Sequence, residues 1–596
     1  MLTDKRIIRK DKNVKEKANL SDYNKEYKKF TWKTAEKELS IFANHKLNAA
    51  HIAIDQNALN FRKNKIALYF LSGTGLKEQY TFKDFSEKSN QFANVLKSQK
   101  INKGDRVFIF LPRIPELYIS FLGILKIGAI AGTLFSAFQE KALLDRLLNS
   151  QAKVLITNSE LYPRVEKIMK DLPSLEIIII VERESQKQIK SKKAIFFNQE
   201  LQKQSKDFNV RNMDKNDSAF MLYTSGTTGK PKGVLHRHLA IVQEYITAKW
   251  VLDLKEDDVY WCTADPGWVT GIAYEILGSW ANGASAVVYD GRFDPDTWYK
   301  IIEDYKVTVW YTAPTAVRML MAAGLEPVKK HNLSSLRHLA SVGEPLNPEA
   351  IFWGQKAFGL AFHDNWWQTE LGAICIANYP VLDIKVGSMG KPVPGITAGI
   401  VDDKGHELKI NREGNLALRP NFPSLMKGIW RRPTKYKSYF INGTAYSHER
   451  GAKRQVEWYI SGDRALKDKD GYFWFIGRAD DVIKTAGERV GPFEVESALV
   501  DYPGVVEAGV IGKPDAMRGE IIKAFVVLKK DIKPSEKLKE ELSLFVKKHL
   551  AGHAYPREIE FIDKLPKTRS GKIMRRVLKA KELGLPIGDT STLEEY

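Results

Sequence analysis

Short apolar runs alternate with helix-patterned segments through much of the chain, and few architectures accept that alternation. The runs are Val107–Leu111 (VFIFL), Val154–Thr157, Glu176–Val181, Ala219–Tyr223, Ala286–Tyr289, Val307–Tyr311 and His338–Val342. The helix expected over Pro115–Lys126 follows the first of them. The pattern predicts an α/β protein whose layered sheets are mostly parallel. After GRADD (Gly477–Asp481), a helix over Phe493–Val500 and strands over Val505–Ile511 and Ala524–Leu528 predict a small α+β domain. The division expected is 1–60, a polar extension wrapping the main domain; 61–479, the large domain; and 480–596, the small one. The polar stretch Gly443–Val456 reads as a surface loop. No internal repeat is present.

Composition removes several function classes. With 43% hydrophobic residues the chain of 596 can bury a core. Its most hydrophobic stretch, Leu117–Phe138, is broken by Lys126, so no membrane span is expected. The basic start MLTDKRIIRK has no apolar centre and is not a secretory signal, which predicts a cytoplasmic protein. Cys262 and Cys375 form neither a metal-ligand pair nor a disulfide framework, and are expected buried and reduced. The net charge of +20 fits a nucleic-acid binder, an enzyme of polyanionic ligands, or a drift toward lysine. No basic stripe interleaved with aromatics accompanies it, which favours the last two.

The densest chemical signal is YTSGTTGKPKGVLH, Tyr223–His236. Thr224, Ser225, Thr227 and Thr228 surround Gly226 and Gly229, followed by Lys230, Lys232 and Gly233. Glycines bring amides close to phosphate, hydroxyls add donors, and lysines add charge. The spacing is not that of a Walker loop. Leu239, Val242, Ile246 and Trp250 share one helical face, so the segment reads as strand, loop, helix.

This segment resembles the phosphate-loop signature of the adenylate-forming superfamily. Seven further blocks resemble its acetyl-CoA synthetase family, in order: ADPGWVTG (264–271), YTAPTAVRML (311–320), SVGEPLNPEA (341–350), NWWQTELG (365–372), YISGDRA (459–465), GRADDVIKTAGERVGPFEVE (477–496) and LPKTRSGKIMRR (565–576). The resemblance implies a large N-terminal domain with a mobile C-terminal lid. It implies ATP, CoA and Mg²⁺ as ligands, and activation of acetate to acetyl-CoA through an acetyl-adenylate. Propionate or another short acid, carrier loading and light emission are the alternatives within the superfamily. A nucleic-acid binder is the alternative outside it, and the resemblance implies neither nucleic-acid nor membrane partners.

Roles follow by position. Thr224–Lys230, Gly343, Glu344, Pro345, Asp364, Asn365, Trp366, Trp367, Gln368 and Thr369 would surround the nucleotide, and Glu370 would help to hold Mg²⁺. Glu370 also reads as a simple helix N-terminal acid, and Trp366 as a core aromatic. Asp463 and Arg478 would hold the ribose, Arg489 a phosphate, and Lys572 would be catalytic. Lys572 would also be a target for a lysine acetyltransferase and deacetylase. Val269, Thr270, Val342 and Trp367 would form the acyl pocket. Ala486, Gly487 and Lys547 would contact CoA, and Asp480 would be the hinge. Ala486 stands where the family usually has Ser. Tyr502 stands where some members have His beside a second metal, so that metal is not expected.

Overall fold

The computed structural model describes residues 7–39, 47–183, 189–224, 231–446, 453–485, 488–550, 554–568, 572–587, 590 and 593. Among them the predicted runs are strands of two large sheets. One has eight strands, ordered Gly428–Ile429, Lys232–Arg237, Ser218–Thr224, Ile130–Thr133, Arg106–Phe110, Val154–Asn158, Ile177–Val181, Ala194–Phe196. The other has nine and centres on the parallel strands Ser285–Tyr289, Val259–Cys262, Val309–Thr312, His338–Ser341 and Phe362–Trp366.

Both sheets are covered on both faces, as parallel sheets require. Val107 and Ile109 join the core between the sheets, while Phe108 and Phe110 join a separate cluster on the other side. Helix Pro115–Lys126 lies in the shared core with all twelve residues buried. Its Lys126 ends there without a stranded charge: its ammonium donates to Asp55 at 2.7 Å and to Asn90 at 2.7 Å.

Three expectations are corrected. Residues 47–58 are core rather than wrapping: Ile52, Ala53 and Ile54 are buried, and Asp55 is the Lys126 counter-ion. Polar residues in this segment satisfy a buried partner, which composition alone misreads as surface. Further upstream, the arm Ile7–Ile8 pairs with Ile384–Lys385, and Lys10 reaches Nε2 of the buried His363. Second, no helix follows the Gly-rich segment directly. Lys232–Arg237 returns as an antiparallel strand, Thr224 opposite Lys232, before the helix Ile241–Trp250. The alternation of Val234 and His236 within a buried strand was hidden by the strong helical period after it. Third, the described ends of Gly443–Val456 are strand rather than surface loop: Phe440–Tyr446 and Lys453–Lys467 pair antiparallel, with Ala445, Val456 and Trp458 buried, while 447–452 lie outside the described residues.

A third sheet carries that hairpin with Ala398–Val401, Gly414–Leu418 and Phe473–Arg478. The C-terminal region builds its own sheet of Glu488–Val490, Ile483–Thr485, Gly519–Leu528, Val505–Asp515 and Glu558–Phe561, with a separate core. No helix among the described residues is long and apolar enough to cross a membrane.

Buried histidines make acid stability testable. Burial lowers His236 to about 4, and His238 and His338 to about 3. It pushes His363 well below its ordinary value, with Lys10 adding to the shift. Below about pH 6.5 the unfolded chain binds protons at these rings that the folded chain refuses. Their contribution is therefore complete above that pH and lost as pH falls, at up to about 1.4 kcal/mol per ring per pH unit. The melting midpoint should drop steadily from about pH 6.5 to about pH 5; a flat profile there would count against neutral buried rings.

Candidate active site

The strands Val309–Thr312, His338–Ser341 and Phe362–Trp366 are adjacent and parallel, so their C-terminal ends open on one edge. Ligands of open α/β sheets bind at such edges. From them run Pro314–Ala323, Val342–Asn347 and Trp367–Glu370. The third sheet adds Asp463 and Arg478, which are direct register partners.

Asp463 is the node of this edge. Its Oδ2 accepts from Trp366 Nε1 at 2.9 Å and Gln368 Nε2 at 2.8 Å, and its Oδ1 accepts from Arg478 at 2.8 Å. Gln368 is fixed in turn by Ser461 O at 2.9 Å and the Tyr459 hydroxyl at 3.0 Å. Burial raises the Asp463 carboxyl above its ordinary value, against the pull of Arg478. Gly462 has φ +74°, and a Cβ there would stand 3.2 Å from the Arg478 guanidinium. Trp366 thus belongs to the core and also orients Asp463. Thr369 opens the turn Thr369–Leu371 that presents Glu370.

Glu370 pairs with Lys232, which also meets the Tyr439 hydroxyl; Tyr439 lies 3.3 Å from the carboxylate. Burial works to raise the Glu370 pKa, but Lys232 outweighs it and the carboxylate stays below its usual range. An ionised lone carboxylate fits Mg²⁺, which takes few protein ligands and shares phosphate oxygens. No cage of three or more acidic, His or Cys side chains exists among the described residues. Thr224 Oγ1, at the strand end opposite Lys232, is buried without a hydrogen-bond partner among the described residues, as a hydroxyl facing a phosphate would be. Ser225, Gly226, Thr227, Thr228, Gly229 and Lys230 lie outside the described residues.

Gly343 has φ +98°, and a Cβ there would meet nothing within 4 Å, so its backbone borders open space. Glu344 accepts from Thr315 at 2.7 Å and Arg318 at 2.8 Å. Pro345 lines a cavity with Lys572. Asn365 accepts from Tyr311 at 2.9 Å and donates to Ser341 O at 2.9 Å, tying the three strands together. Burial holds Asp364 well above the carboxylate range, and its Oδ1 has no partner among the described residues. Val269, Thr270 and Val342 are buried, and Trp367 is partly buried, its ring edge-on to Tyr274 at 5.2 Å.

The small domain brings Lys572 to this edge. Crowding by nearby protein and Arg478 lower its pKa, with Asp463 opposing, while Lys572 itself is exposed. Asp480 is exposed and stands 3.6 Å from Arg478 Nε. Arg489 pairs with Lys484 in the hairpin Ile483–Thr485/Glu488–Val490, whose turn residues Ala486 and Gly487 lie outside the described residues. Lys547, in the last turn of Glu536–His549, rests over the Tyr555 ring at 5.1 Å and does not join the Asp463–Glu370 cluster. Tyr502 donates to Glu541 at 3.0 Å. Sequence reasoning did not single out Tyr439, Tyr459, Arg318 or Asn347. Lys232 was noticed in its motif without a role, and no local signal pairs it with Glu370, 138 positions away.

The structure brings a fixed carboxylate node and a lysine of the small domain to one sheet edge, and the comparisons define the class. The AMP-binding enzyme family model matches residues 54–430, and that of the AMP-binding enzyme C-terminal domain matches 494–572. The chain belongs to this family of adenylate-forming enzymes. It is 56% identical to the acetyl-coenzyme A synthetase of Bacillus subtilis, over 97% of this chain and 98% of that one. It is 43% identical to the acetyl-coenzyme A synthetase of Methanothrix thermoacetophila, over 93% and 85%. Among solved structures, an anthranilate CoA ligase in complex with anthranoyl-AMP superposes with TM-score 0.80 at 32% identity, over 90% of this chain and 98% of that one. An acyl-CoA synthetase of Brucella canis superposes with TM-score 0.70 at 34% identity, over 94% and 99%. The α/β class with a smaller C-terminal domain, expected from the apolar runs, is borne out.

Proposed function

We propose that the chain is an AMP-forming acetate–CoA ligase acting in the cytoplasm, and that the named edge residues carry its two half-reactions. The observation that supports this most is a cavity lined together by Lys572 of the small domain and by Glu344 and Pro345 of the large one, with the Asp463–Arg478 node within electrostatic reach of Lys572. In the first step an acetate oxygen attacks the α-phosphorus of ATP and pyrophosphate leaves. Negative charge grows between the carboxylate and the phosphoryl oxygens, and the Lys572 ammonium bridges it. Asp463 accepts from the ribose hydroxyls and Arg478 fixes that carboxylate. Thr224, Thr369 and the loop to Lys230 hold the phosphates, and Arg489 is assigned to them as a further cation. Gly343–Pro345 and Asp364–Gln368 wall the base. Glu370 holds Mg²⁺, which supplies charge neutralisation when bound. In the second step the CoA sulfur attacks the acyl carbon and AMP leaves, with Ala486, Gly487 and Lys547 on the CoA side.

The two steps need different lid positions in this reading. The large unit would span 61–479, the lid 480–596, and the pivot would be Asp480. The amides of Ala479 and Asp481 bond to Gly462 O and Arg478 O, while no main-chain bond among the described residues uses that of Asp480. Asp480→Pro should therefore fold, but its φ is locked. Pyrophosphate exchange should persist while thioester formation from synthetic acetyl-adenylate falls about 100-fold, as misplaced reactants do. Both steps running normally would remove Asp480 as the pivot.

Acetylation of Lys572 by a lysine acetyltransferase would remove the bridging charge, and a deacetylase would restore it. Unchanged adenylation in fully modified protein would end that idea. Acid-dependent ATP–pyrophosphate exchange across a chain-length series tests the acetate assignment against propionate.

A further inference from the structure

We infer that Arg318 is a positioning residue that latches the lid in its adenylating orientation and ties that latch to the nucleotide edge. The inference rests on the two-position reading above. Arg318 lies on helix Pro314–Ala323 of the large domain, with its side chain 10% exposed. It donates to Glu344 at 2.8 Å, to Thr315 at 2.6 Å and to Asn347 at 3.3 Å. Across the domain boundary its Nε stands 4.0 Å from Glu507 on the lid strand Val505–Asp515. Beside it Asn347 donates to Ser497 of the lid at 2.9 Å. Arg318 thus reaches the lid itself and also orders Asn347, which reaches it beside the ion pair.

The charge arrangement suits a contact that must break on every turnover. Stranding a buried ion is strongly unfavourable, so a permanent weld and a reversible latch need different wiring. Each ion of this pair has a second partner within its own domain: Glu344 for Arg318, and Lys567 at 2.6 Å for Glu507. When the lid turns away neither charge is left alone, and Asn347 keeps Arg318. Glu344 belongs to the segment Gly343–Pro345 at the nucleotide edge. A nucleotide that fixes Glu344 also fixes the guanidinium fork that Glu507 meets. None of Arg318, Asn347, Ser497 and Glu507 reacts; together they set where Lys572 sits.

The test is the ratio of the two half-reactions in Glu507→Gln, which removes the cross-domain charge and leaves the nucleotide edge intact. Acetate-dependent pyrophosphate exchange should fall about tenfold, while thioester formation from synthetic acetyl-adenylate and CoA stays at the parent rate. Arg318→Lys, which keeps charge but loses the fork, should shift the ratio the same way. A proportional fall in both steps would show a merely structural role and overturn the inference, as would exchange that does not change. Should Arg318→Lys fold poorly, Glu507→Gln decides alone. Lys572→Ala run alongside separates the two ideas. If it splits the half-reactions and Glu507→Gln does not, the latch fails by itself. If neither variant splits them, the two-position reading fails and takes the latch with it.

Discussion

Replacing Lys572 by alanine should slow acetate-dependent exchange of pyrophosphate into ATP by about 10²–10³-fold, the usual cost of removing one charge-stabilising donor. The same variant should convert synthetic acetyl-adenylate and CoA to thioester at close to the parent rate. The asymmetry follows from position: Lys572 lines a cavity with Glu344 and Pro345 of the large domain and feels the charges of Asp463 and Arg478, an arrangement that needs this docking of the small domain. The Lys572 carbonyl accepts from the Thr568 amide just ahead of the helix Arg575–Leu583, so truncating the side chain removes a charge without unfolding the segment. Equal loss of both steps would place the residue in general architecture rather than in phosphoryl chemistry. The lowered pKa adds a pH signature. Below the folded pKa of Lys572 the ammonium is complete, and exchange should decline at an alkaline pH below the ordinary lysine range as the proton leaves.

Trp367→Gly should change which acids are used. The parent should prefer acetate, use propionate less well and reject butyrate. A methylene is worth about 1–3 kcal/mol in a fitted pocket, and overpacking a rigid wall adds about 1–3 kcal/mol more. Trp367 can be rigid because Tyr274 meets its ring edge-on, and Tyr274 is itself held by Thr247 at 2.7 Å and by the Ile374 amide at 2.7 Å. Removing the indole should lower kcat/KM for acetate and admit acids of four or more carbons. A parent that already favours hexanoate would remove both the wall and the acetate assignment. A folded variant with the parent's preference would place the wall elsewhere. Melting curves should accompany the kinetics, since loss of a large aromatic costs about 3–5 kcal/mol where it is fully buried.

What could be read from the chain depended on how local the physics was. Val107–Leu111 and Ile177–Val181 announce themselves because a strand buried on both faces has no polar positions to confuse it. Pro115–Lys126 is framed by its own proline and by its length. By contrast, Asp55 is legible only through Lys126, 71 positions away, so a core segment passed for a polar extension. The hairpin ending at Lys467 was misread because its exposed edge residues, Asn442 and Glu457 among them, mask Ala445 and Val456. Within the candidate site, the family register singled out Asp463, Arg478 and Lys572. It could not supply Tyr459 and Tyr439, whose task is to hold Gln368 and Lys232 and whose partners are set by the third sheet.

The two cysteines have a practical consequence. Cys262 and Cys375 are buried and unpaired, and burial pushes the Cys262 thiol up to about 12. Neither presents a thiolate to reagents in solution, so the folded chain behaves toward alkylating dyes as if it contained no sulfur nucleophile. Met517 on the lid and Leu59 on the large domain are 82% and 80% exposed. Cysteines placed at those two positions would take a donor and an acceptor fluorophore without prior removal of the native thiols, and single-molecule energy transfer would then show in real time whether the small domain takes up the two positions proposed for it.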